Sequence, residues 1–419
     1  MLVGDSHPGA RRYVDRAASA IFLRRCRYGS SVRCTHLNGV DPVRRILGAA
    51  VVVFGSLVSV ASPAGAASGP WASIAAGQTH TCAINASKTL YCWGANASGQ
   101  LGDGTDMVRR VPTKISTAGI WVSVAAGGAH TCAITTGKSL YCWGYRDHGQ
   151  IGNGTTEPLQ QFTPKRVGAA GVWATVSTGF AHTCAITTSK SLYCWGWNDF
   201  GQIGVGVAGD QLRPKRIGTA GVWAKVTTGG AHTCAVSTGK SLYCWGYNLD
   251  GGIGDGSNVN RPSPRLIGAA GAWVGVSGGG RHTCAVSTGK SLYCWGLNDS
   301  GQVGDGSTDN RTRPKRVGTA GAWAGVSAGE QHTCALSSAK TLYCWGLNAS
   351  GQVGDNTFDT PKLAARKAGP SGVWSTASAG AFHTCGITTG RALYCWGDNS
   401  NGQIGIGNRV DQPYPTPVP

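Results

Sequence analysis

The sequence predicts an all-β protein, a seven-bladed β-propeller with four-stranded antiparallel blades. Three observations support this: a glycine-rich composition, a repeat of about fifty residues, and short strand-like segments separated by turns. The 419 residues include 66 glycines, and charged residues make up only 13%. Such a composition favours short strands and tight turns over helices.

The internal repeat fills residues 71–419. The histidine of the phrase HTC returns every 50 to 52 residues, and a YCWG phrase follows it each time. Periods of this length indicate a solenoid, a propeller or an array. A tryptophan opens each of the seven units, and these residues mark the repeat starts: Trp71, Trp121, Trp173, Trp223, Trp273, Trp323 and Trp374.

Each unit contains four strand-like segments, which we call A, B, C and D. WASIAAG is strand A, HTCAI and LYCWG form the B–C hairpin, and RPKRVG is strand D, where proline is tolerated at a strand start or an edge. Seven sets of four short antiparallel strands predict a propeller. A solenoid is the alternative, and the lack of distinct capping repeats in the sequence argues against it.

The last unit ends in a D segment, PTPVP, while the first unit begins directly at strand A. We expect each blade to combine one D segment with the A, B and C segments that follow it. The C-terminal strand, Pro415–Pro419, would then pair with repeat 1 and close the ring.

The repeated pattern GxxHTCAI…GKSLYCWGxNxxGQxGxG resembles the repeat of the regulator of chromosome condensation, a family of seven-bladed propellers. It is also similar to β-lactamase-inhibitor protein II, a secreted member of the same structural group. The resemblance covers all seven units. It implies the fold and says little about function, because this fold hosts unrelated tasks.

Fourteen of the sixteen cysteines recur in pairs ten positions apart. Directly opposed residues of an antiparallel hairpin lie within disulfide reach, so we expect seven intra-blade disulfides, each stabilising by about 2–3 kcal/mol in the loop-entropy model. Zinc binding and a catalytic thiol are the alternatives, although no C-x-x-C knuckle occurs. The predicted pairs are Cys82–Cys92, Cys132–Cys142, Cys184–Cys194, Cys234–Cys244, Cys284–Cys294, Cys334–Cys344 and Cys385–Cys395.

The seven HTC histidines are expected to be structural, since a reaction does not need one copy in each blade. We expect each to be buried and to hydrogen-bond a loop backbone. No metal and no cofactor are expected.

The first seventy residues do not follow the repeat. Residues 43–67 hold two arginines, an apolar run and Ala64-Gly65-Ala66, the pattern of a cleaved secretory signal peptide. A membrane anchor is the alternative, although the apolar run is shorter than the ~20 residues of a span. Residues 1–42 are an arginine-rich extension, and we expect the chain to start near Val40 or Val43. Export and cysteine number together predict a secreted or cell-surface protein.

Because consecutive strands of a blade run in opposite directions, the loops fall on two opposite faces of the propeller. In an up-and-down blade the A–B and C–D loops share one face, and the B–C and D–A turns share the other. The net charge of the chain is +18. A ring of cations is expected on the second face, either as solvated surface or as a site for anionic wall polymer, membrane or nucleic acid. This basic ring comprises Lys88, Lys138, Lys190, Lys240, Lys290, Lys340 and Arg391.

The other face carries the positions that differ between repeats. Exposed aromatic and arginine side chains are typical of protein-binding hot spots, whereas packing against the next blade is the alternative explanation. The partner-binding candidates are Tyr145, Phe180, Trp197, Phe200, Tyr247, Arg281 and Phe382.

The sequence therefore predicts a secreted, monomeric, non-enzymatic protein-binding propeller, such as an inhibitor or adhesion module. No protease, P-loop, serine-hydrolase or dinucleotide motif occurs, and no nucleotide cofactor is expected. Family resemblance implies an alternative, a guanine-nucleotide exchange factor-like regulator, but no unit carries an inserted hairpin that could act as a wedge. Further alternatives are binding of an anionic cell-wall polymer or nucleic acid through the basic face, and a structural domain of a larger cell-surface protein.

Overall fold

The computed structural model describes residues 69–419 except 116–119, 170–171, 219–221, 269–271 and 319–321. The described residues belong to one compact unit, Ser62–Pro419. The proposed extension and the whole of the proposed signal peptide, residues 43–67, lie outside the described residues.

The described residues form 28 strands in seven four-stranded antiparallel sheets, which confirms the predicted propeller. Blades 1 to 3 comprise β1 (Trp71–Ala76), β2 (His80–Asn85), β3 (Leu90–Gly94), β4 (Arg109–Lys114), β5 (Trp121–Ala126), β6 (His130–Thr135), β7 (Leu140–Tyr145), β8 (Gln160–Val167), β9 (Trp173–Thr178), β10 (His182–Thr187), β11 (Leu192–Gly196) and β12 (Gln211–Ile217). Blades 4 and 5 comprise β13 (Trp223–Thr228), β14 (His232–Ser237), β15 (Leu242–Gly246), β16 (Arg261–Ile267), β17 (Trp273–Gly278), β18 (His282–Ser287), β19 (Leu292–Gly296) and β20 (Arg311–Val317). Blades 6 and 7 comprise β21 (Trp323–Ala328), β22 (His332–Ser337), β23 (Leu342–Gly346), β24 (Lys362–Lys367), β25 (Trp374–Ala379), β26 (His383–Thr388), β27 (Leu393–Gly397) and β28 (Gln412–Pro417).

Every blade is built from the A, B, C and D strands of a single repeat. Strand A lies innermost, because successive A strands contact one another around the ring, and strand D forms the outer edge. The prolines and the exposed Lys and Arg residues of strand D suit that position, since proline and charge protect an unpaired sheet edge.

The predicted mode of ring closure is wrong. Strand β28 pairs with β27 of its own repeat, with Cys395 opposite Thr416 and Gly397 opposite Gln412. The β28 backbone is thus paired with the strand that precedes it in the chain, which costs less loop-closure entropy than pairing with the distant first repeat. Side-chain packing closes the ring instead: Trp71 and Trp93 of blade 1 join Val418 and other blade 7 residues in one buried cluster.

The hydrophobic core lies between blades. Each of the seven clusters combines the disulfide hairpin of one blade with the two tryptophans of the next. The paired cysteines lie at disulfide distance in all seven blades, with Cα–Cα separations of 4.1 Å. The predicted cysteine pairing is therefore confirmed.

The HTC histidines link the blades into a closed hydrogen-bonded ring. All seven are buried, as predicted, but their partner is a threonine of the next blade rather than a loop backbone. The Thr131 hydroxyl donates to the Gln100 carbonyl at 2.7 Å, so His80 Nε2 must donate to Thr131 Oγ1 at 2.9 Å. The pairs are His80–Thr131, His130–Thr183, His182–Thr233, His232–Thr283, His282–Thr333, His332–Thr384 and His383–Thr81.

The GQxG phrase meets the tryptophan of strand C in the next blade. The Gln302 carbonyl accepts a hydrogen bond from Trp345 Nε1 at 3.0 Å and another from the Thr333 hydroxyl at 2.8 Å. Gly304 follows with φ of 77°, and a Cβ there would lie 2.3 Å from Trp345 Nε1. The contact requires glycine both for its backbone conformation and for its lack of a side chain.

Candidate protein-binding face

The two faces of the propeller carry different charges. All sixteen Asp and Glu residues of the repeats lie in A–B or C–D loops, whereas the basic ring occupies the B–C turns. We call the face formed by the A–B and C–D loops the loop face, and the opposite one the basic face.

Part of the acidic charge on the loop face is structural. Asp305 accepts hydrogen bonds from Ser307 and lies 2.6 Å from Arg311 Nε. Burial alone would raise the pKa of Asp305, but the hydrogen bonds from Arg311 and Ser307 hold it below its usual value. Asp103 and Asp255 lie in equivalent arrangements with Arg109 and Arg261. These aspartates stabilise the turns in which they lie.

The departures from the repeat on blades 2 to 4 converge on one cluster. Trp197 is its centre, with ring centroids 5.3 Å from Phe200, 6.4 Å from Phe180 and 5.9 Å from His148. Phe200 in turn lies 5.1 Å from the ring of Tyr247. The cluster therefore joins three blades, and it is partly exposed: Phe180 is 43% exposed, and the other rings are half-buried.

Arg281 extends the cluster to blade 5. Its guanidinium carbon lies 5.5 Å from the Tyr247 ring centroid, within cation–π range. Arg281 also approaches Asp250 at 3.6 Å. We call His148, Phe180, Trp197, Phe200, Tyr247 and Arg281 the aromatic patch.

Carboxylates border the aromatic patch. Trp197 Nε1 donates to Asp199 Oδ2 at 2.8 Å, and His148 Nδ1 lies 2.8 Å from Asp210 Oδ2. The hydrogen bond with Asp210 raises the pKa of His148, and Asp147 adds to that shift against the opposing effect of burial. At neutral pH the patch thus presents aromatic faces beside negative charge.

Sequence reasoning missed His148. The residue occupies the repeat position just before the GQ phrase, where Phe200 and Asp250 stand in the next two blades. The sequence signal for His148 is that the residue at this position differs between the repeats. Two residues before it, Arg146 replaces the asparagine of the other six units; it is buried, and its Nε donates to the Pro158 carbonyl.

Five of the seven sequence candidates lie in this cluster. Tyr145 ends β7 in blade 2, the blade that contributes His148. Phe382 lies in the A–B loop of blade 7, across the ring from blade 3, and is half-buried. The structure therefore brings together Phe180, Trp197, Phe200, Tyr247 and Arg281, and it leaves Phe382 outside the patch.

The central opening of the loop face is narrow. Backbone and mostly small side chains of all seven A–B loops line it, together with Gln78, Phe180 and Glu330, and its volume is about 80 Å³. Small-molecule sites commonly enclose about 300–1,000 Å³. Among the described residues, no group of three or more His, Cys, Asp or Glu side chains is arranged to hold a metal ion.

The seven basic-ring residues are all exposed on the basic face. Each adopts a left-handed backbone conformation with φ between 56° and 65°. The carbonyl of each accepts a hydrogen bond from the first tryptophan of the next blade, for example Trp121 N–H to Lys88 at 2.9 Å.

The described residues include no helix long and apolar enough to cross a bilayer.

The architecture and the repeated inter-blade contacts define a seven-bladed propeller assembled from one fifty-residue unit. The RCC1-like domain model matches residues 56–322, and models of the regulator of chromosome condensation (RCC1) repeat match 323–352, 375–403 and 392–419. The chain belongs to the RCC1-like domain family. The similarity to β-lactamase-inhibitor protein II stays a prediction.

Two curated proteins show partial sequence similarity. The ultraviolet-B receptor UVR8 of Arabidopsis thaliana is 34% identical over 141 residues, which cover 33% of this chain and 32% of the receptor. A Caenorhabditis elegans homolog of the X-linked retinitis pigmentosa GTPase regulator is 30% identical over 133 residues, or 32% of this chain and 6% of that protein. The similarity thus spans about a third of the receptor and a small part of the nematode protein.

Solved structures share the fold. Human WBSCR16 superposes with a TM-score of 0.71 at 21% identity, over 79% of this chain and 94% of that one. Prp20p of Saccharomyces cerevisiae, studied for its binding to Gsp1p and histones, gives 0.71 at 21% identity, over 80% and 87%. At this identity the likeness supports the architecture alone.

Proposed function

We propose that this chain is a secreted or cell-surface propeller without enzymatic activity, which binds a partner protein through its loop face. The observation that carries the proposal is the aromatic patch. Its members differ from the repeat consensus and yet contact one another across four blades. Partly exposed Trp, Tyr and Arg side chains are the residues that most often dominate protein interfaces.

The charge of the loop face indicates what kind of partner it fits. Asp147, Asp199, Asp210 and Asp250 surround the patch, and aromatic faces attract cations. A protein segment rich in Arg or Lys would complement both features. The narrow central opening favours a macromolecule over a small ligand at this face.

Seven disulfides agree with an oxidising, extracellular environment. The buried histidines are occupied by inter-blade hydrogen bonds, and their Nε2 atoms already have threonine partners. These histidines therefore hold neighbouring blades together. That role supports a binding function for the protein over a catalytic one. Guanine-nucleotide exchange rests on family resemblance alone.

The repeat supplies matched controls for a binding test. Trp197, Tyr247, Leu297 and Leu347 occupy the same position in successive units. We expect residues 62–419 to capture a partner from the producing organism's exported proteins, and the Trp197→Ala/Tyr247→Ala variant to recover at least tenfold less, because hot-spot truncations each cost about 2 kcal/mol or more. The Leu297→Ala/Leu347→Ala variant should recover as much as wild type.

Quantitative mass spectrometry of the captured proteins gives the measurement, and unchanged melting temperatures show that both variants are folded. Equal recovery by the two double variants would remove the aromatic patch as the binding site. Nucleotide release from a captured GTPase would favour the exchange-factor alternative.

A further inference from the structure

The acidic side chains of the repeats all lie on one of the two faces of this propeller, which the net charge of the chain does not show. No Asp or Glu of the repeats lies in a B–C turn or a D–A connection. The ion pairs formed by Arg109, Arg261, Arg311 and Lys362 all involve aspartates of C–D loops. The basic face therefore has no Asp or Glu side chain of the repeats to neutralise its cations.

The backbone conformation at the basic-ring positions does not favour lysine or arginine. A left-handed conformation favours glycine or asparagine and disfavours lysine. The turn residues around this position vary between units, and in the seventh unit the lysine itself becomes Arg391, which keeps the charge. The side chain, rather than the turn geometry, therefore explains a cation at all seven positions.

Exposed aliphatic side chains accompany the cations. Ile120, which is 55% exposed, precedes strand β5, and its carbonyl accepts a hydrogen bond from Thr136 N–H in a B–C turn. Val122, Val222 and Val274 stand at the same ends of their A strands and are 36–40% exposed. A cavity of about 470 Å³ also opens here, with Lys88 and Arg391 among its lining residues.

The arrangement is planar. Equivalent residues of seven equivalent blades lie at the same height along the ring axis, since each repeats the same carbonyl contact to the next blade. A flat anionic surface can meet all seven cations at once, whereas a linear polymer crossing the ring meets only some of them. Aliphatic side chains between the cations gain nothing from a polar polymer and gain burial at a bilayer interface.

We propose that the basic face docks this protein on the surface of a bilayer rich in anionic phospholipid headgroups. The cations contact headgroup phosphates, and the Ile120 and Val122 side chains enter the interfacial region. Docking in this orientation directs the aromatic patch away from the membrane, where a partner protein can reach it. This proposal rests on the charges of the basic face and does not depend on a partner protein at the loop face.

Vesicle sedimentation tests the proposal with residues 62–419, a compact unit without the N-terminal apolar run. Wild type should bind phosphatidylglycerol vesicles and not phosphatidylcholine vesicles, and high salt should release it. Asparagine tolerates the left-handed conformation, so Lys138→Asn/Lys190→Asn/Lys240→Asn/Lys290→Asn should fold. Its partition should fall at least a hundredfold, since each cation near such a surface contributes roughly fivefold.

The control has the same change in net charge away from the basic face. Arg409 lies in a C–D loop, and the other three arginines lie in D strands close to the ends that follow the C–D loops. The variant Arg110→Gln/Arg213→Gln/Arg313→Gln/Arg409→Gln should bind nearly as wild type. Ile120→Ser/Val122→Ser should weaken vesicle binding severalfold without weakening any binding to duplex DNA. Equal losses in the two quadruple variants would overturn the proposal, because bulk charge would then explain binding. Binding of duplex DNA in place of anionic vesicles would also overturn it.

Discussion

The two faces of this propeller are built from the same seven repeats, yet they differ in what the repeats keep. On the basic face, a cation, its backbone conformation and its contact to the next blade recur seven times. On the loop face, the residue after YCWG changes from unit to unit, and Trp197 and Tyr247 stand where other units have Ala, Tyr, Leu or Asp. A uniform face suits an extended, regular surface, whereas a varied face suits one specific partner.

Both faces depend on the frame between them, and the largest expected effect is to break that frame. Gly304→Ala would place a Cβ 2.3 Å from Trp345 Nε1 at a residue with φ of 77°. We expect a loss of about 3 kcal/mol or more in the free energy of unfolding, or failure to fold, together with loss of function at both faces.

Gly306→Ala is the matched control for that steric contact. Gly306 has a similar positive φ of 87°, but nothing lies within 4 Å of a Cβ built there. Its cost should be limited to the backbone term, about 1 kcal/mol. Similar losses in thermal or urea unfolding for the two variants would show that the tryptophan contact does not hold the blades together.

Acid should also weaken the frame, and with it both faces, progressively as the pH falls. Burial lowers the pKa of His80, His130, His182, His282 and His332 to about 3, and that of His232 and His383 to about 4. These histidines ionise near pH 6.5 when unfolded, so unfolding takes up protons below that pH. Their contribution is complete above pH 6.5 and is lost as pH falls towards 3–4.

The melting temperature should therefore fall steadily from pH 7 to pH 4.5, since each histidine contributes up to about 1.4 kcal/mol per pH unit in that window. In His332→Gln the amide can still donate to Thr384, while one titrating group is removed, so its pH dependence should be shallower. A melting temperature that stays level across this range would contradict the assignment of neutral, buried histidines.

The smallest expected effect sharpens the contrast between the faces. Lys290→Asn places a residue suited to φ of 56° in the B–C turn without touching the loop face. We expect the free energy of unfolding to rise by about 0.5–1 kcal/mol, while anionic-vesicle binding falls roughly fivefold. If Lys290→Asn instead lost stability in urea titration, the turn itself would require the lysine side chain. Vesicle docking would then not be needed to explain why a cation stands there.

Much of the frame could be predicted from the repeat because its chemistry is local. Cys132 and Cys142 face each other in a short hairpin whose register follows from strand alternation, and the pairing is confirmed. The threonine partner of His130 could not be found in this way. It lies on the next blade, 53 residues away, and only the packing of one blade against another brings it near.

The sequence alone determined the strand content, the seven units and the cysteine pairing, since periodicity and hairpin register depend on residues close in the chain. The tertiary structure decided how the ring closes, placing Trp71 against Val418 without exchanging a strand. It also joined His148, Trp197, Tyr247 and Arg281 into one patch. Contacts between blades bring distant residues together, and a repeat period does not record which divergent side chains then touch.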